Sequence, residues 1–124
     1  MSTPEQELLA VSEKLLQCID GGDWDGYAAL CDERLTCFEA EAKTHLVVGM
    51  PFHKFYFDLP PSGQKQQSTI ASPHITVVGD VGIVCYTRLV QRTTDNGPTS
   101  SAANETRVWR RDASGWKLIH CHRS

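Results

Sequence analysis

Three arginines in the second half of the sequence occupy positions where inward-facing side chains are expected. Arg88, Arg107 and Arg123 lie inside or at the end of segments with strand composition, and residues two apart on a strand share a face. Guanidinium groups that face a cavity bind carboxylates through paired hydrogen bonds. The spacing therefore predicts an anion-binding cavity. Arg88 is in phase with the apolar residues Val84, Tyr86 and Val90. Arg107 is in phase with Trp109, and Arg123 is in phase with Ile119 and Cys121.

Glu105 is the nearest acidic partner for these arginines, two residues before Arg107. A buried cation without a partner costs on the order of several kcal/mol, and one carboxylate cannot neutralise three guanidinium groups. We therefore predict a positively charged cavity that suits a small carboxylate. The alternative is that carboxylates of the first helix, Glu13 and Asp20, pair with the arginines and that no ligand binds.

Near the end of the sequence, His120-Cys121-His122 places two imidazoles on one face of a strand. A zinc site needs three or four ligands, and the sequence shows no others at a recognisable spacing; His53 or His74 would have to converge through folding. A packed face or a subunit contact accounts for the two histidines equally well. We predict no metal site and no cofactor.

Acid–base catalysis requires a group whose pKa lies near neutrality, which arginine cannot provide. His53 is the candidate, with Tyr86 or Tyr56 as a hydrogen-bond donor. Glu39 and Glu41 alternate near the end of a strand, where we expect a solvated edge. The sequence contains no glycine-rich phosphate loop, nucleophile elbow or kinase signature, so we predict no catalytic residues.

Length and composition indicate one domain, residues 1–124, with an ordinary proportion of hydrophobic residues at 40%. The formal charge of −3 favours neither nucleic acid nor an anionic membrane as a partner. No segment has the length of a membrane span or a signal peptide. The five scattered cysteines contain no C-x-x-C pair, which indicates reduced, buried thiols and a cytoplasmic location.

Residues 3–22 carry the signals of an amphipathic helix. Thr3 and Gln6 can form a capping box, and Gly21-Gly22 can end the helix. A shorter helix from Asp23, strands at 34–42 and 45–49, and an aromatic helical segment at 51–58 are predicted to follow. Residues 59–63 predict an exposed loop.

Four long strands are predicted for the second half, at 68–78, 82–92, 101–111 and 115–123. The turns between them are short, which is typical of hairpins and of an antiparallel sheet. Helices followed by such a meander predict an α+β fold, with the first helix packed on a strongly curved antiparallel sheet. Several strands are apolar on both faces, so something besides the helix must cover the sheet.

Four short motifs carry a family resemblance: FHKFYF at 52–57, PHI at 73–75, ETRVW at 105–109 and H-x-HRS at 120–124. Together with their order and spacing, they make nearly the whole chain resemble the association, or hub, domain of calcium/calmodulin-dependent protein kinase II. The resemblance implies a cone-shaped fold of the nuclear-transport-factor-2-like type. It also implies self-association into two stacked rings of about a dozen or more subunits, which would gather kinase and regulatory segments of the same polypeptide.

The resemblance further implies a cavity lined by His53, Arg88, Arg107 and Arg123, which accepts small carboxylates or peptide segments. Tyr86 and Glu105 are added to this predicted pocket from the strand pattern. Two other functions fit the same residues. One is a cone-fold enzyme of the isomerase or dehydratase type that uses His53, and the other is a simple dimeric module that binds small acids.

Overall fold

The structure, a computed structural model, describes residues 2–124 as three helices and a curved six-stranded sheet. The predicted α+β class is confirmed. The helices are α1 (Pro4–Gly21), α2 (Trp24–Ala29) and α3 (Pro51–Phe57), and a 3-10 turn occupies Ala40–Ala42. The strands are β1 (Cys31–Phe38), β2 (Val47–Val48), β3 (Gln66–Val78), β4 (Val81–Thr94), β5 (Gly97–Asp112) and β6 (Gly115–Arg123).

Helix α1 begins with the predicted capping box. The Gln6 amide donates to Thr3 Oγ1 at 3.1 Å, and the Thr3 amide donates to the Gln6 side-chain oxygen at 2.9 Å. Gly22 ends the helix at φ 67°, a left-handed conformation that glycine adopts without steric cost. The apolar side of α1, including Leu8 and Leu15, is buried where the helix packs against β3 and β4.

Four strands form the predicted antiparallel meander, but the sheet as a whole is mixed. Its order is β2-β1-β6-β5-β4-β3, and hairpins join β3 to β4, β4 to β5 and β5 to β6. The prediction of a wholly antiparallel sheet is wrong, because β1 pairs with β6 in parallel. Short turns set the direction of consecutive strands, whereas β1 and β6 are far apart in the chain and no turn relates them.

A bulge in β6 changes the face to which its residues point. The register with β5 leaves Ile119 as an extra residue between Leu118 and His120. Leu118 and Cys121 are therefore both buried in the core, and Ile119 instead lines a groove beside Arg34. The prediction that Ile119 is in phase with the inward side chains is wrong, because strict alternation holds only in an unbroken strand.

The close approach of α1 to β4 depends on a glycine. A Cβ atom at Gly82 would lie 2.4 Å from Leu8 Cδ1, and Leu8 is fully buried. The missing side chain lets the helix lie directly on the sheet at this point.

The outer face of the sheet remains partly exposed. Within residues 2–124, α1 packs on the inner face at β3 and β4, and the inward residues of β4 alternate with partly exposed outward ones. Ile83, Cys85, Leu89 and Val108 are among the outward residues, so the sheet is apolar on both faces, as predicted. No helix within residues 2–124 is long and apolar enough to cross a membrane.

Candidate functional site

The candidate site is a cavity of about 160 Å³ between the C-terminal end of α1, α3 and the inner face of the sheet. Four side chains that the resemblance assigns to it all line it: His53, Arg88, Arg107 and Arg123. Elements far apart in the chain therefore meet at one place. Among the other lining residues are Tyr27, Cys37, Glu39, Glu41, Tyr56 and Cys121.

Strand alternation places the arginines inside, as predicted. In β4 every second residue from Gly82 to Val90 is buried, and Arg88 is one of them at 4% exposure. Arg107 lies between two other buried residues of β5 that share its face, Glu105 and Trp109. Burial of guanidinium groups at these positions requires partners inside the fold.

Glu105 is the central partner of two arginines. Its Oε1 accepts from Arg107 Nη2 at 3.1 Å and from the Tyr86 hydroxyl at 2.5 Å, and Arg88 Nη1 lies 3.5 Å from Oε2. Arg107 Nε also donates to the Tyr86 hydroxyl at 2.9 Å. Tyr86 and Glu105 were predicted for the pocket, but they lie behind the arginines and hold them in place.

Arg88 has a second partner at the end of α1. Its Nη2 donates to Asp20 Oδ1 at 3.0 Å, and its Nε donates to Ser68 Oγ at 2.9 Å. Asp20 was one of the two helix carboxylates considered for such a pairing. The other, Glu13, is exposed on the solvent side of the helix.

Glu39 and Glu41 both line the cavity, and the predicted solvated edge is wrong for Glu39, which is largely buried, whereas Glu41 is exposed as predicted. Strand β1 ends at Phe38, and the 3-10 turn that follows folds both carboxylates over the cavity. Arg123 Nη2 donates to Glu41. Glu39 and Glu41 join Asp20 and Glu105, so four carboxylates face three arginines. The predicted positive charge of the cavity is therefore wrong.

These contacts set the charge state of Glu105. Burial acts to raise its pKa, but the Arg107 guanidinium, the hydrogen bond from Tyr86 and the charge of Arg88 outweigh burial and hold the pKa below its ordinary value. Glu105 is therefore a carboxylate at neutral pH, and it balances the buried arginine charge.

The pKa values of the two glutamates at the cavity mouth shift in opposite directions. Burial and the neighbouring charge of Glu41 raise the pKa of Glu39. Burial opposes ionisation of Glu41 too, but its hydrogen bond with Arg123 lowers its pKa. Burial and the nearby Arg107 lower the pKa of His53, so its imidazole is neutral at pH 7.

His53 enters the cavity from α3, whose aromatic neighbours hold the ring. Its Nδ1 lies 3.6 Å from Glu39 Oε1, its side chain is 7% exposed, and its Nε2 is buried without a hydrogen-bond partner within residues 2–124. Cys37, Glu39 and His53 bring possible ligand atoms to within 4.8 Å of one another. No spacing in the sequence predicts this cluster, because Cys37 and His53 belong to a strand and a helix that are not adjacent in the chain.

The histidines of the C-terminal strand lie away from this cluster. His120 Nδ1 bonds to Thr36 Oγ1 at 2.7 Å, and the exposed His122 packs its ring against Phe38. Cys121, between them, is buried and lines the cavity on the opposite face. His74 is exposed on β3, so the structure brings neither His53 nor His74 to the tail.

Comparison with known proteins gives a consistent family match. The family model of the calcium/calmodulin dependent protein kinase II association domain matches residues 4–124. The chain is 41% identical over 124 residues to the calcium/calmodulin-dependent protein kinase type II subunit delta of Oryctolagus cuniculus. This match covers 97% of the chain and 23% of the rabbit protein.

Solved structures agree with the sequence match. The CaMKII hub homology domain of Chlamydomonas reinhardtii superposes with a TM-score of 0.93 at 43% identity, and the match covers 98% of each chain. A nuclear transport factor 2-like superfamily protein from Salmonella enterica superposes with a TM-score of 0.76 at 19% identity, over 97% of this chain and 89% of the other. The second likeness concerns the fold alone, and it confirms the predicted nuclear-transport-factor-2-like fold.

Proposed function

Because this chain belongs to the family of calcium/calmodulin-dependent protein kinase II association domains, we propose that it self-associates into a large closed homo-oligomer. The proposed particle has two stacked rings with about a dozen or more subunits, closed by one side-to-side contact and one two-fold contact. Its role is to gather kinase subunits rather than to catalyse a reaction. The observation that carries this proposal is the family match over residues 4–124.

The outer face of the sheet supports the proposal. Ile83 and Val108 are cross-strand partners at the middle of that face, and both are partly exposed. Interfaces in permanent assemblies are rich in such apolar surface and commonly bury about 2,000 Å² or more. A second copy of the chain is the occupant that an association domain requires.

Exposed apolar side chains at separate places support a side-to-side contact. Val48, on edge strand β2, and Phe55, on α3, are 66% and 61% exposed. Val78 is 65% exposed at the β3–β4 turn, and β3 is the opposite edge of the sheet. A ring needs two different surfaces on each subunit, and the two edges of one sheet can provide them.

The chain spans about a quarter of the curated relatives that it matches, 23% of the rabbit subunit and 24% of the Drosophila melanogaster alpha chain. Residues 2–124 contain an association domain and no kinase domain. In the proposed assembly, kinase and regulatory segments of the same polypeptide are the partners that the particle brings together.

The mass of the native particle tests the proposed assembly. We expect a single species many times heavier than the 13.8 kDa chain at micromolar concentration, because closed rings leave no free contact surface. Native mass spectrometry and multi-angle light scattering measure this mass directly. A monomer or a dimer at that concentration would contradict the proposal and would favour the simple dimeric module.

The arginine-lined cavity supports a second, finer proposal, which is that it accepts a small carboxylate or the side chain of a peptide segment. Arg107 uses Nε and Nη2 in its bonds to Glu105 and Tyr86, and Arg123 uses Nη2 in its bond to Glu41. No hydrogen bond within residues 2–124 uses Nη1 of either arginine. These free donors support the proposal, and the volume of about 160 Å³ suits an acid of a few carbon atoms.

Replacing Arg123 with glutamine is expected to weaken binding of a small acid at least about tenfold, because a charge-assisted hydrogen bond is lost. Arg123 suits this test since it is less buried than Arg107 and its removal leaves Glu105 paired. Isothermal titration with succinate measures the affinity. Arg110→Gln, which changes a surface arginine paired with Asp32, is the control. Equal succinate affinity in both variants would rule out a role for Arg123.

We also assign the domain to the cytoplasm. Cys18, Cys31, Cys37 and Cys121 are buried free thiols, and burial raises the pKa of Cys31 to about 12. Such thiols are typical of proteins from a reducing compartment.

A further inference from the structure

A thiol, a carboxylate and an imidazole meet at one wall of the cavity. Cys37 and Glu39 lie two residues apart at the end of β1, and His53 reaches them from α3. Their possible ligand atoms lie within 4.8 Å of one another. Ligand atoms around a tetrahedral zinc ion are about 3.5 Å apart, given zinc–ligand bonds of about 2.0–2.3 Å. Small side-chain rotations would therefore bring all three groups into coordination distance.

His53 has unused coordinating capacity in this wall. Its side chain is 7% exposed, and Nε2 is buried with no hydrogen-bond partner within residues 2–124. Buried polar atoms are normally satisfied, and an exception calls for an explanation such as a bound ion. Nδ1 lies 3.6 Å from Glu39 Oε1, close to the separation of two ligand atoms that share one tetrahedral zinc ion.

A second thiol is available beside the first. Cys121 of β6 is the cross-strand partner of Cys37 in the parallel pair, both thiols line the cavity, and both are 3% exposed. Two sulfur atoms, one nitrogen and one carboxylate form a ligand set that suits zinc, whereas calcium and magnesium prefer oxygen ligands.

The charges around the cavity permit a cation. Arg107 lines the same cavity and would repel a metal ion, but Glu105 already pairs with it at 3.1 Å. Four carboxylates face the three cavity arginines. Of these four carboxylates, Glu39 has no arginine salt bridge within residues 2–124, and it is one of the three converging ligand groups.

We propose that Cys37, Glu39 and His53, with Cys121 as a further thiolate ligand, form a zinc-binding site in the cavity. This site is independent of the proposed assembly and of the proposed acid binding at Arg123. It also differs from a His-Cys-His tail site, because His120 and His122 lie on the other face of the sheet.

Cobalt(II) is the probe that tests the site, since it occupies zinc sites and reports its ligands by absorption. The metal-free chain, kept reduced with a phosphine, is titrated with cobalt(II) and then with zinc(II). We expect one cobalt ion per chain, with a thiolate-to-cobalt charge-transfer band and the visible bands of tetrahedral cobalt, all removed by zinc. Absence of the charge-transfer band in the wild-type chain would overturn the proposal.

Matched variants assign the ligands. Cys37→Ser is expected to abolish the charge-transfer band or to weaken cobalt binding at least about tenfold. Glu39→Gln changes a less buried position and is expected to weaken cobalt binding as well. If circular dichroism shows that Cys37→Ser does not fold, Glu39→Gln is the variant that tests the site. Cys85→Ser, on the outer face, and His122→Ala, in the tail, are expected to leave the spectrum unchanged. A spectrum that survives both Cys37→Ser and Glu39→Gln, or that depends on His122, would overturn the proposed site.

Discussion

Replacing Arg107 with alanine is expected to lower the free energy of unfolding by about 3–5 kcal/mol, the usual cost of removing one partner from a buried ion pair. Arg107 is 4% exposed and Glu105 is 2% exposed. Without the guanidinium, the Glu105 carboxylate keeps the hydrogen bond from Tyr86 and the 3.5 Å contact with Arg88, but it loses its closest cationic partner. Urea unfolding followed by circular dichroism measures the change, at one fixed chain concentration because assembly adds to apparent stability.

A surface arginine provides the matched control for this prediction. Arg110 pairs with Asp32 at 3.2 Å, but the two side chains are 55% and 26% exposed. Ion pairs in solvent contribute about 0–1 kcal/mol, so Arg110→Ala should lower stability by no more than that amount. If the two alanine variants unfold at the same urea concentration, the buried network around Glu105 does not stabilise the fold.

The pH dependence of stability provides a second readout of the same network. The pKa of Glu105 is lower in the folded state than its ordinary value of 4.5. Its contribution is therefore fully present above pH 4.5 and is lost as the pH falls through the folded-state pKa. Arg107→Ala removes the largest cause of that lowering, so the variant should lose less further stability on acidification below pH 4.5 than the wild type does.

Replacing Val108 with glutamate is expected to break the native particle into small species while the subunit keeps its fold. Val108 lies on the outer face of the sheet, where its cross-strand neighbours are Ile83 and His120. A carboxylate there would be buried without a partner if a second copy covers this face, at a cost of about 2 kcal/mol or more per contact. Each particle repeats the contact many times, so the effect accumulates. Sedimentation velocity at micromolar concentration measures the mass.

Gln17→Glu is the control for this charge effect, because it adds a carboxylate to the exposed side of α1, away from the outer face. We expect Gln17→Glu to retain the full particle mass. Leu89→Glu tests the same face from β4 and should act as Val108→Glu does. Far-ultraviolet circular dichroism separates dissociation from unfolding. Particles of wild-type mass in both outer-face variants would show that copies associate through other surfaces.

Local patterns were sufficient for much of the fold. The Thr3–Gln6 capping box and the glycine after α1 involve neighbours within a few residues, and the tight turns made the β3–β6 meander predictable. Alternation along β4 and β5 also placed Arg88 and Arg107 inside. Each of these features depends on interactions between residues that are close in the chain or joined by one short turn.

Features that depend on distant segments were missed or predicted wrongly. The parallel pairing of β1 with β6 joins segments that are far apart in the chain. Glu39 and Glu41 resemble a solvated edge in the sequence, and the 3-10 turn that brings them over the cavity becomes visible only in the folded chain. The predicted surplus of positive charge failed for the same reason, since three of the four carboxylates come from α1 and the region after β1.

The amino-acid pattern thus specified the element types, the hairpin directions and the inward arginines of this protein, because caps, turns and side-chain alternation are short-range effects. Packing decided which charges meet those arginines and which thiol lies beside His53. These contacts are made between α1, the end of β1, α3 and β6. The distances between the contacting side chains depend on how the helices pack on the curved sheet, and this packing cannot be read from residues that are neighbours in the sequence.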